Sequence, residues 1–464
     1  MSADTLFRYP ESVELAFTAT DGLDFSDGRH VSSDDIWEYM TVEAPRRFPH
    51  SFDTNVYFRT ISKDADFFSG IKRNYLNLSL RDRLLSAREK GVPIVLVQGG
   101  QTVEPYYAAG GIPLRPGFVL QWARNMVEGL STRQSNLRGM YFLEDGRRNL
   151  TIEACGQISA HAAVQENIAP VDFVAPYLCL RCSDMAYLVE SHRHGKRNVP
   201  TYLVDHPIPG GSSGLEARAD CLAGELETLT GRISGLSHRT VSDDILREEI
   251  KRENAARELV RDCYRIWWSA KVPPTNSIDH SGIVPFGVDG CGDFTAATQV
   301  LKSTRTELRR RVKDGVLGAG LVDDPARLYI CGSCVGPNPG RVDDAGGVIV
   351  GKDDFWSEAS VHVKETGDPY ENLADAILSF PYELTTEERA KWTAEQVKKS
   401  RADGVIFMYN WGCNYQTAIA RMMADIIKEE AHVPSIYIEV ELTSAEGLEQ
   451  SHNRVESFIE MISN

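Results

Sequence analysis

The stretch GVIFMYNWGCNYQTA, residues 404–418, joins an apolar, β-branched run to a loop that carries Cys413. A short run of this kind, ending at Trp-Gly, predicts a buried strand followed by a loop at its carboxyl end. The residues that follow, QTAIARMMADIIKEEA (416–431), have apolar side chains at helical spacing. Strand, loop and helix in this order predict one unit of a parallel α/β sheet.

The same pattern recurs along the chain and predicts the fold class. Short apolar runs that end in polar or Gly-rich loops lie at 92–98, 173–178, 201–205, 328–334, 346–354 and 435–442. Strands that alternate with helical stretches indicate parallel sheets covered by helices. We therefore predict an α/β protein with two similar doubly wound parallel-sheet domains joined by helices.

Four regions are predicted along the 464 residues, since so long a chain exceeds one ordinary core. They are a mainly helical N-terminal segment (1–90), a first α/β domain (91–215), a helical linker region (216–325) and a second α/β domain (326–464). Within the linker, a Ser/Asp start at Ser242 and apolar residues at helical spacing predict a long helix.

Composition excludes some classes of function. The formal net charge is -16, which opposes nucleic-acid binding because that requires a concentrated positive surface. The N-terminus lacks the basic and apolar regions of a signal peptide, and no apolar run is long enough to span a membrane. We therefore expect a cytoplasmic protein without a membrane or nucleic-acid partner.

The nine cysteines indicate metal or redox chemistry, because disulfides are rare in a reducing compartment. Two CxxC pairs occur, Cys179/Cys182 and Cys331/Cys334. A zinc ribbon places such pairs roughly 15–20 residues apart, whereas 149 residues separate Cys182 from Cys331. A zinc site is thus disfavoured, and a thioredoxin-type dithiol at Cys179/Cys182 stays an alternative.

The positions of the cysteines are more informative than their spacing. Cys182, Cys334 and Cys413 each follow a predicted strand, and ligands bind at the carboxyl ends of parallel strands. Cys155 begins a helical segment, where the helix N-terminus favours the thiolate that iron–sulfur clusters require. Each of these cysteines has the alternative of being a small buried apolar residue. The remaining candidates for the core are Cys221, Cys263 and Cys291.

Several segments together carry a resemblance to a known family. They are GGQTVEPYYAAGGIPLRPG (99–117), EACGQISAHAAVQENIAPVDFVAPYLCLRCSDM (153–185), RLYICGSCVGPNP (327–339), AGGVIVGKDDFW (345–356), TGDPYENLADAIL (366–378), ADGVIFMYNWGCNYQTA (402–418) and VPSIYIEVELTSAEGLEQSHNRVESFIEMI (433–462). In order and spacing they resemble the 2-hydroxyacyl-CoA dehydratases and ATP-dependent (class I) benzoyl-CoA reductases. The resemblance runs from about residue 91 to the end.

The resemblance implies a set of cluster ligands. By position, Cys155, Cys182 and Cys413 correspond to the three cysteines that hold one [4Fe–4S] cluster in the cleft between the two domains. Cys179 is a rival for the second position, and Cys334 is a possible additional thiol. Three cysteines leave one iron open to another ligand. Catalytic side chains are not assigned.

The resemblance also implies function and partners. We expect a cluster-bearing subunit of an ATP-dependent benzoyl-CoA reductase, which passes low-potential electrons into an aromatic acyl-CoA and gives a cyclic dienoyl-CoA. The alternatives are a 2-hydroxyacyl-CoA dehydratase subunit, which forms an enoyl-CoA through a ketyl radical, and a non-catalytic electron-relay or scaffold subunit. The expected partners are the acyl-CoA substrate, a second related cluster-bearing subunit and an activator ATPase with its own [4Fe–4S] cluster. No GxxxxGK[ST] phosphate loop occurs in this chain.

Other polar residues give weaker hypotheses. Residues 414–416 are expected to open a helix near the cluster, with ordinary helix capping as the alternative. His192, His194 and His206 are candidates for proton delivery or ordinary surface residues. The basic run SHRHGKR (191–197) is either a solvated face or a site for the CoA phosphates.

Overall fold

The structure is a computed structural model. It describes residues 9–52, 61–62, 64–98, 102–115, 155, 158–159, 162, 170–178, 182, 184–194, 199–207, 214–332, 335–440 and 445–463. Within these residues the protein is α/β, with two four-stranded parallel sheets and a mainly helical N-terminal segment. The predicted fold class is thereby confirmed.

The N-terminal segment combines short helices with one hairpin that the sequence did not predict. The hairpin pairs β1 (Leu23–Asp24) with β2 (His30–Val31) in antiparallel orientation. The helices are α1 (Glu11–Thr18), α2 (Ser33–Glu38), α3 (Ala44–Arg47), α4 (Pro49–Phe52) and α5 (Phe68–Glu89), with a π-helical turn at Tyr39–Glu43. Ser32 and Asp35 form a reciprocal capping box at the start of α2.

The first sheet contains the strands β3 (Ile94–Gln98), β4 (Ile112–Leu114), β5 (Phe173–Leu178) and β6 (Val204–Asp205). Their order across the sheet is β4-β3-β5-β6, and all pairs are parallel. The last strand is shorter than the predicted 201–205, because Thr201 makes only an isolated bridge to Val174. The flanking helices are α6 (Glu104–Ala108) and α7 (Met185–His194).

A central helical region follows the first sheet. Its helices are α8 (Leu215–Ser237), α9 (Asp243–Ser269), α10 (Ser277–Ser281), α11 (Val284–Val288) and α12 (Phe294–Asp314), with a 3-10 turn at Gly290–Gly292. The Ser242 side chain accepts a hydrogen bond from the Ile245 N–H and caps α9. Cys263 on α9 is completely buried, so its assignment to the core is confirmed.

The second sheet contains β7 (Ala326–Cys331), β8 (Gly347–Lys352), β9 (Gly404–Asn410) and β10 (Ser435–Val440). The order is β10-β9-β7-β8, and all pairs are parallel. Read from the opposite edge, the order is β8-β7-β9-β10. The second strand of the sheet thus comes first, followed by the first, third and fourth strands, as in the first sheet. The flanking helices are α13 (Pro339–Asp344), α14 (Asp353–Ala359), α15 (Pro369–Leu378), α16 (Thr386–Ser400), α17 (Asn414–Ala431) and α18 (Ala445–Ser463), with a 3-10 turn at Pro381–Glu383.

Buried ion pairs fasten the N-terminal segment to the central helices. Arg311 on α12 binds both carboxylate oxygens of Asp64 at 2.6 Å, and both side chains are almost fully buried. Arg73 on α5 pairs with the buried Asp279 of α10 at 2.5 Å. Because each charge depends on its partner for solvation, these pairs define how the segment docks.

Candidate functional site: cysteines at the strand ends

Two of the predicted ligands, Cys155 and Cys182, lie in the same small apolar cluster. Cys155 is buried, and Cys182 is partly buried against the cluster that Cys155 forms with Met185 and Leu188. The Cys155 carbonyl accepts a hydrogen bond from the Ser159 N–H at 3.1 Å, which is the i to i+4 bond of a helical turn. The structure therefore brings together two thiols that are 27 residues apart in the sequence.

Asp184 connects this pair to the third predicted ligand. The backbone N–H of Cys155 donates to Asp184 Oδ2 at 2.8 Å, and Asp184 itself is buried. Its carboxylate also lies close enough to Cys413 to raise the pKa of that thiol. Asp184 thus interacts with a cysteine beside the first sheet through a hydrogen bond, and with a cysteine beside the second sheet through its charge.

Cys413 immediately precedes α17, as predicted for residues 414–416. Burial raises the pKa of its thiol. The backbone N–H groups of Tyr415 and Gln416, and the Arg389 guanidinium, act in the opposite direction and lower it. Because burial outweighs these groups, the pKa of Cys413 stays raised, and the helix N-terminus and the nearby cation limit the rise.

The two sheets place Cys182 and Cys413 in equivalent positions. Each follows the third strand of its sheet, β5 or β9, close after the last strand residue. In both sheets the first and third strands are neighbours, and the chain leaves them towards opposite edges of the sheet. This place is called the topological switch point, and open α/β sheets bind their ligands there. Cys182 and Cys413 therefore each follow a strand at the switch point of their own sheet.

Polar contacts connect the elements on either side of this region. Arg115, directly after β4, contacts Glu358 of α14 at 3.1 Å and Asp289 at 3.5 Å. His206, directly after β6, lies 3.6 Å from Glu383, and both side chains are fully buried. His206 is thus a buried residue at the contact between the two halves, contrary to the surface alternative.

A buried polar group lies beside the carboxyl ends of β7 and β8. Asp353 accepts hydrogen bonds from the Gly332 N–H (3.0 Å), the Tyr382 hydroxyl (2.9 Å) and Arg389 Nη2 (2.8 Å). Arg389 stacks over the Tyr382 ring at 3.8 Å from its centroid. No role for Asp353 or Arg389 was predicted from the sequence. Asp353 directly follows β8. A polar residue at the carboxyl end of a predicted strand is the sequence feature that could have identified it.

The remaining cysteines and two of the histidines considered in the sequence lie in different environments. Cys331 is a buried thiol, and burial raises its pKa well above the ordinary value. Cys291 is buried as expected. Cys221 is exposed on α8, so its assignment to the core is wrong; a small residue is tolerated on the solvent face of a helix. Cys179 and Cys334 lie outside the described residues, as do the side chains of His192 and His194.

Among the residues that the structure describes, no group of three or more His, Cys, Asp or Glu side chains is arranged to hold a single metal ion. An iron–sulfur cluster distributes its thiolate ligands over several iron atoms, so its cysteines lie further apart than those around one ion. Two cysteines at one apolar cluster, with Cys413 in electrostatic range of the Asp184 that binds the Cys155 N–H, are consistent with that donor set.

A cavity of about 330 Å³ lies elsewhere in the molecule. Val92 and Gly111, which precede β3 and β4, form part of its wall, together with Arg83 and Arg252. It therefore opens at the amino ends of the first sheet, opposite to the cysteines. In the part of the chain that the structure describes, no helix has the length and apolar character needed to cross a membrane.

Comparison with known proteins agrees with this architecture. The family model described as 2-hydroxyglutaryl-CoA dehydratase, D-component, matches residues 102–462. The chain is similar to a benzoyl-CoA reductase subunit from Thauera aromatica, with 28% identity over 224 residues that cover 44% of this chain and 54% of that protein. It thus spans about half the length of the curated relative that it matches. Because the family model matches most of the length of this chain, the chain belongs to the 2-hydroxyglutaryl-CoA dehydratase D-component family.

Proposed function

We propose that this chain is a cluster-bearing subunit of an ATP-dependent benzoyl-CoA reductase, and that Cys155, Cys182 and Cys413 hold its [4Fe–4S] cluster. The observation that carries the proposal is the position of Asp184. This one buried carboxylate binds the backbone of Cys155 and lies within electrostatic range of Cys413. This hydrogen bond and this charge interaction support a shared site for cysteines from the two halves of the chain.

The surroundings of these cysteines suit the cofactor. When bound, a [4Fe–4S] cluster accepts and donates one electron at low potential. Cys155 and Cys182 belong to or pack against an apolar cluster, and Cys413 directly precedes the N-terminus of α17. Burial, charge and hydrogen bonding around the sulfurs are the features by which a protein adjusts such a potential.

The proposed partners follow from the same reasoning. The acyl-CoA substrate, a second related cluster-bearing subunit and an activator ATPase with its own cluster would complete the enzyme. The relative from Thauera aromatica is itself named as one subunit of a reductase, which supports an assembly of several chains. We also propose the four-region division at residues 90, 215 and 325, which limited proteolysis would test.

A 2-hydroxyacyl-CoA dehydratase subunit is the second candidate function. The description of the matching family model, a dehydratase component, favours it. The named relative, a benzoyl-CoA reductase subunit, favours the first candidate. An electron-relay or scaffold subunit is a third candidate, and a cluster with all its irons ligated by protein would support it.

Cluster binding is tested on anaerobically purified protein. Iron and acid-labile sulfide should be present in the wild type and lost when Cys155, Cys182 or Cys413 is changed to Ser. Cys221→Ser is the matched control, because Cys221 is exposed on α8 and should leave both contents unchanged. Full iron content in all three single variants would contradict the ligand set.

The reaction is tested on the assembled complex with the activator, ATP and a low-potential reductant. Dienoyl-CoA formation from benzoyl-CoA is expected. Enoyl-CoA formation from a 2-hydroxyacyl-CoA, with no turnover of benzoyl-CoA, would replace the first candidate by the second. Loss of activity without loss of substrate binding in the cysteine variants would connect the cluster to electron transfer.

A further inference from the structure

We propose that the cavity at the amino ends of the first sheet binds a phosphate monoester, a small organic molecule with two negative charges. The cavity has a volume of about 330 Å³, within the range of roughly 300–1,000 Å³ that is usual for small-molecule sites. Its wall includes Val92 and Gly111, which precede β3 and β4, at the end of the sheet opposite to the cysteines. The proposal therefore concerns a second site and does not depend on the cluster.

The wall of the cavity is assembled from parts of the chain that are far apart in the sequence. They are the β1–β2 connection, the last turns of α5, the starts of β3 and β4, the α8–α9 connection, α9 and the turn before α12. Asp293 joins two of these parts, because its Oδ2 accepts from the Ser26 N–H (3.0 Å) and the Ser26 hydroxyl (2.7 Å). Its Oδ1 accepts from the first N–H groups of α12, so the negative charge of this carboxylate is stabilised within the wall.

Positive charges outnumber negative charges in the wall. Five cationic and three anionic side chains line the cavity: Arg29, Arg83, Lys90, Arg239 and Arg252, against Asp27, Glu249 and Asp293. Asp27 lies 2.7 Å from Arg29 and 3.5 Å from Lys90. Glu249 pairs with Arg252. The excess of two positive charges is a local feature of a chain whose formal net charge is -16, and a doubly negative ligand would balance it.

Arg83 is fixed in position, yet its charge has no counter-ion among the described residues. Its Nη2 donates to the carbonyl oxygens of Leu76 (2.8 Å) and Cys291 (2.9 Å), and its Nε donates to Ser79 Oγ (3.2 Å). The third nitrogen, Nη1, makes no hydrogen bond to a described residue, and no described carboxylate lies at ion-pair distance from Arg83 or Arg239. Two guanidinium groups in the wall thus have charge and donors available for a ligand.

Arg252 adds a third guanidinium whose position is fixed by aromatic rings. Its central carbon lies 5.2 Å from the centre of the Tyr107 ring and 5.3 Å from that of Phe294. Its Nε is buried and donates no hydrogen bond within the described part of the chain. Buried donors in native proteins usually have an acceptor, and an anionic oxygen in the cavity would supply one.

The chemistry of the wall favours a phosphate monoester over other anions. Guanidinium groups match the oxygens of a phosphate in geometry and form charge-assisted hydrogen bonds with them. A phosphate monoester carries close to two negative charges above its second pKa of about 6, whereas a single carboxylate carries one. Leu84, Val92 and Ile112 also line the cavity and provide apolar surface for the organic part of the ligand.

The test is isothermal titration calorimetry on the anaerobically purified full chain at pH 8, where the phosphate is doubly ionised. Phenyl phosphate is the probe. Phenyl sulfate has the same ring with one negative charge, and inorganic phosphate has the charge without the ring. We expect one phenyl phosphate to bind per chain, more tightly than either comparison compound. An absence of binding, or equal affinity for phenyl sulfate, would overturn the proposal.

Two variants with opposite expected effects locate the binding. Arg239→Gln removes a cation and should weaken phenyl phosphate binding at least about tenfold, as expected for the loss of a charged hydrogen bond. Asp27→Asn removes a repelling carboxylate and releases Arg29 and Lys90, so binding should become tighter.

Both changed side chains are at least partly exposed, so both variants should fold, which circular dichroism would verify. Arg421→Gln is the matched control, since Arg421 is exposed on α17 and should leave the affinity unchanged. Affinities that are the same in both variants as in the wild type, or that change in the same direction, would contradict binding in this cavity. The iron content has no bearing on this result, so a failure here is distinguishable from a failure of the proposed function.

Discussion

Asp289 gives a pH dependence whose size follows from its surroundings. The side chain is almost fully buried; one oxygen accepts the Cys291 N–H at 2.8 Å and the other lies 3.5 Å from Arg115. Burial is the largest influence and raises the pKa from 3.8 to about 6, while Arg115 and the Cys291 N–H partly oppose it. The change in pKa corresponds to about 3 kcal/mol between the two protonation states.

The sign follows from linkage. Because the folded pKa lies above the unfolded one, the stability from protonated Asp289 is fully present below pH 3.8 and is lost as the pH rises through about 6. Asp289→Asn has no such dependence. Between pH 4 and pH 7 the wild type should therefore lose about 2 kcal/mol of stability relative to the variant. The difference in free energy of unfolding, variant minus wild type, increases by that amount.

Urea denaturation followed by tryptophan fluorescence at several pH values measures this difference. The control is Asp323→Asn, which changes an exposed carboxyl and shows how the substitution type itself affects the measurement. A difference for Asp289→Asn that does not change with pH would show that Asp289 is not buried against Arg115 as described. A decrease with rising pH would refute the sign of the reasoning.

Three further predictions concern the core and the site. Arg311→Met leaves the carboxylate of Asp64 buried without its cation, and urea denaturation should show a loss of about 3–5 kcal/mol of stability. Asp184→Ala removes the acceptor of the buried Cys155 N–H, at a cost of about 1–3 kcal/mol, and iron analysis should show less iron per chain. Gly332→Val should abolish soluble expression, because a Cβ there would lie 2.2 Å from a main-chain oxygen of the neighbouring strand.

Matched controls separate these effects from general damage. Arg421→Met removes an exposed arginine and should change stability by less than about 0.5 kcal/mol. Gly224→Val faces open space on α8 and should leave expression intact, although a helix accepts valine less readily than alanine. Equal effects in the controls and in the three variants would contradict the specific contacts described.

Much of the architecture could be read from local sequence. The run at 404–410 forms β9 because β-branched and aromatic side chains fit a sheet that is covered on both faces. Ser242 begins α9 because its hydroxyl satisfies an N–H that the first helical turn leaves without an acceptor. The β1–β2 hairpin was missed, since two-residue strands have too short a pattern to show periodicity.

The amino-acid sequence by itself determined the α/β class, the strand-loop-cysteine pattern and the family, because strands, helices and motifs depend on residues close together in the chain. Only the tertiary structure decided that Asp184 contacts Cys155 and lies near Cys413, and that Arg389 pairs with Asp353. Those contacts depend on the parallel sheets bringing distant strand ends to one edge, and on burial, which makes each charge depend on its partner.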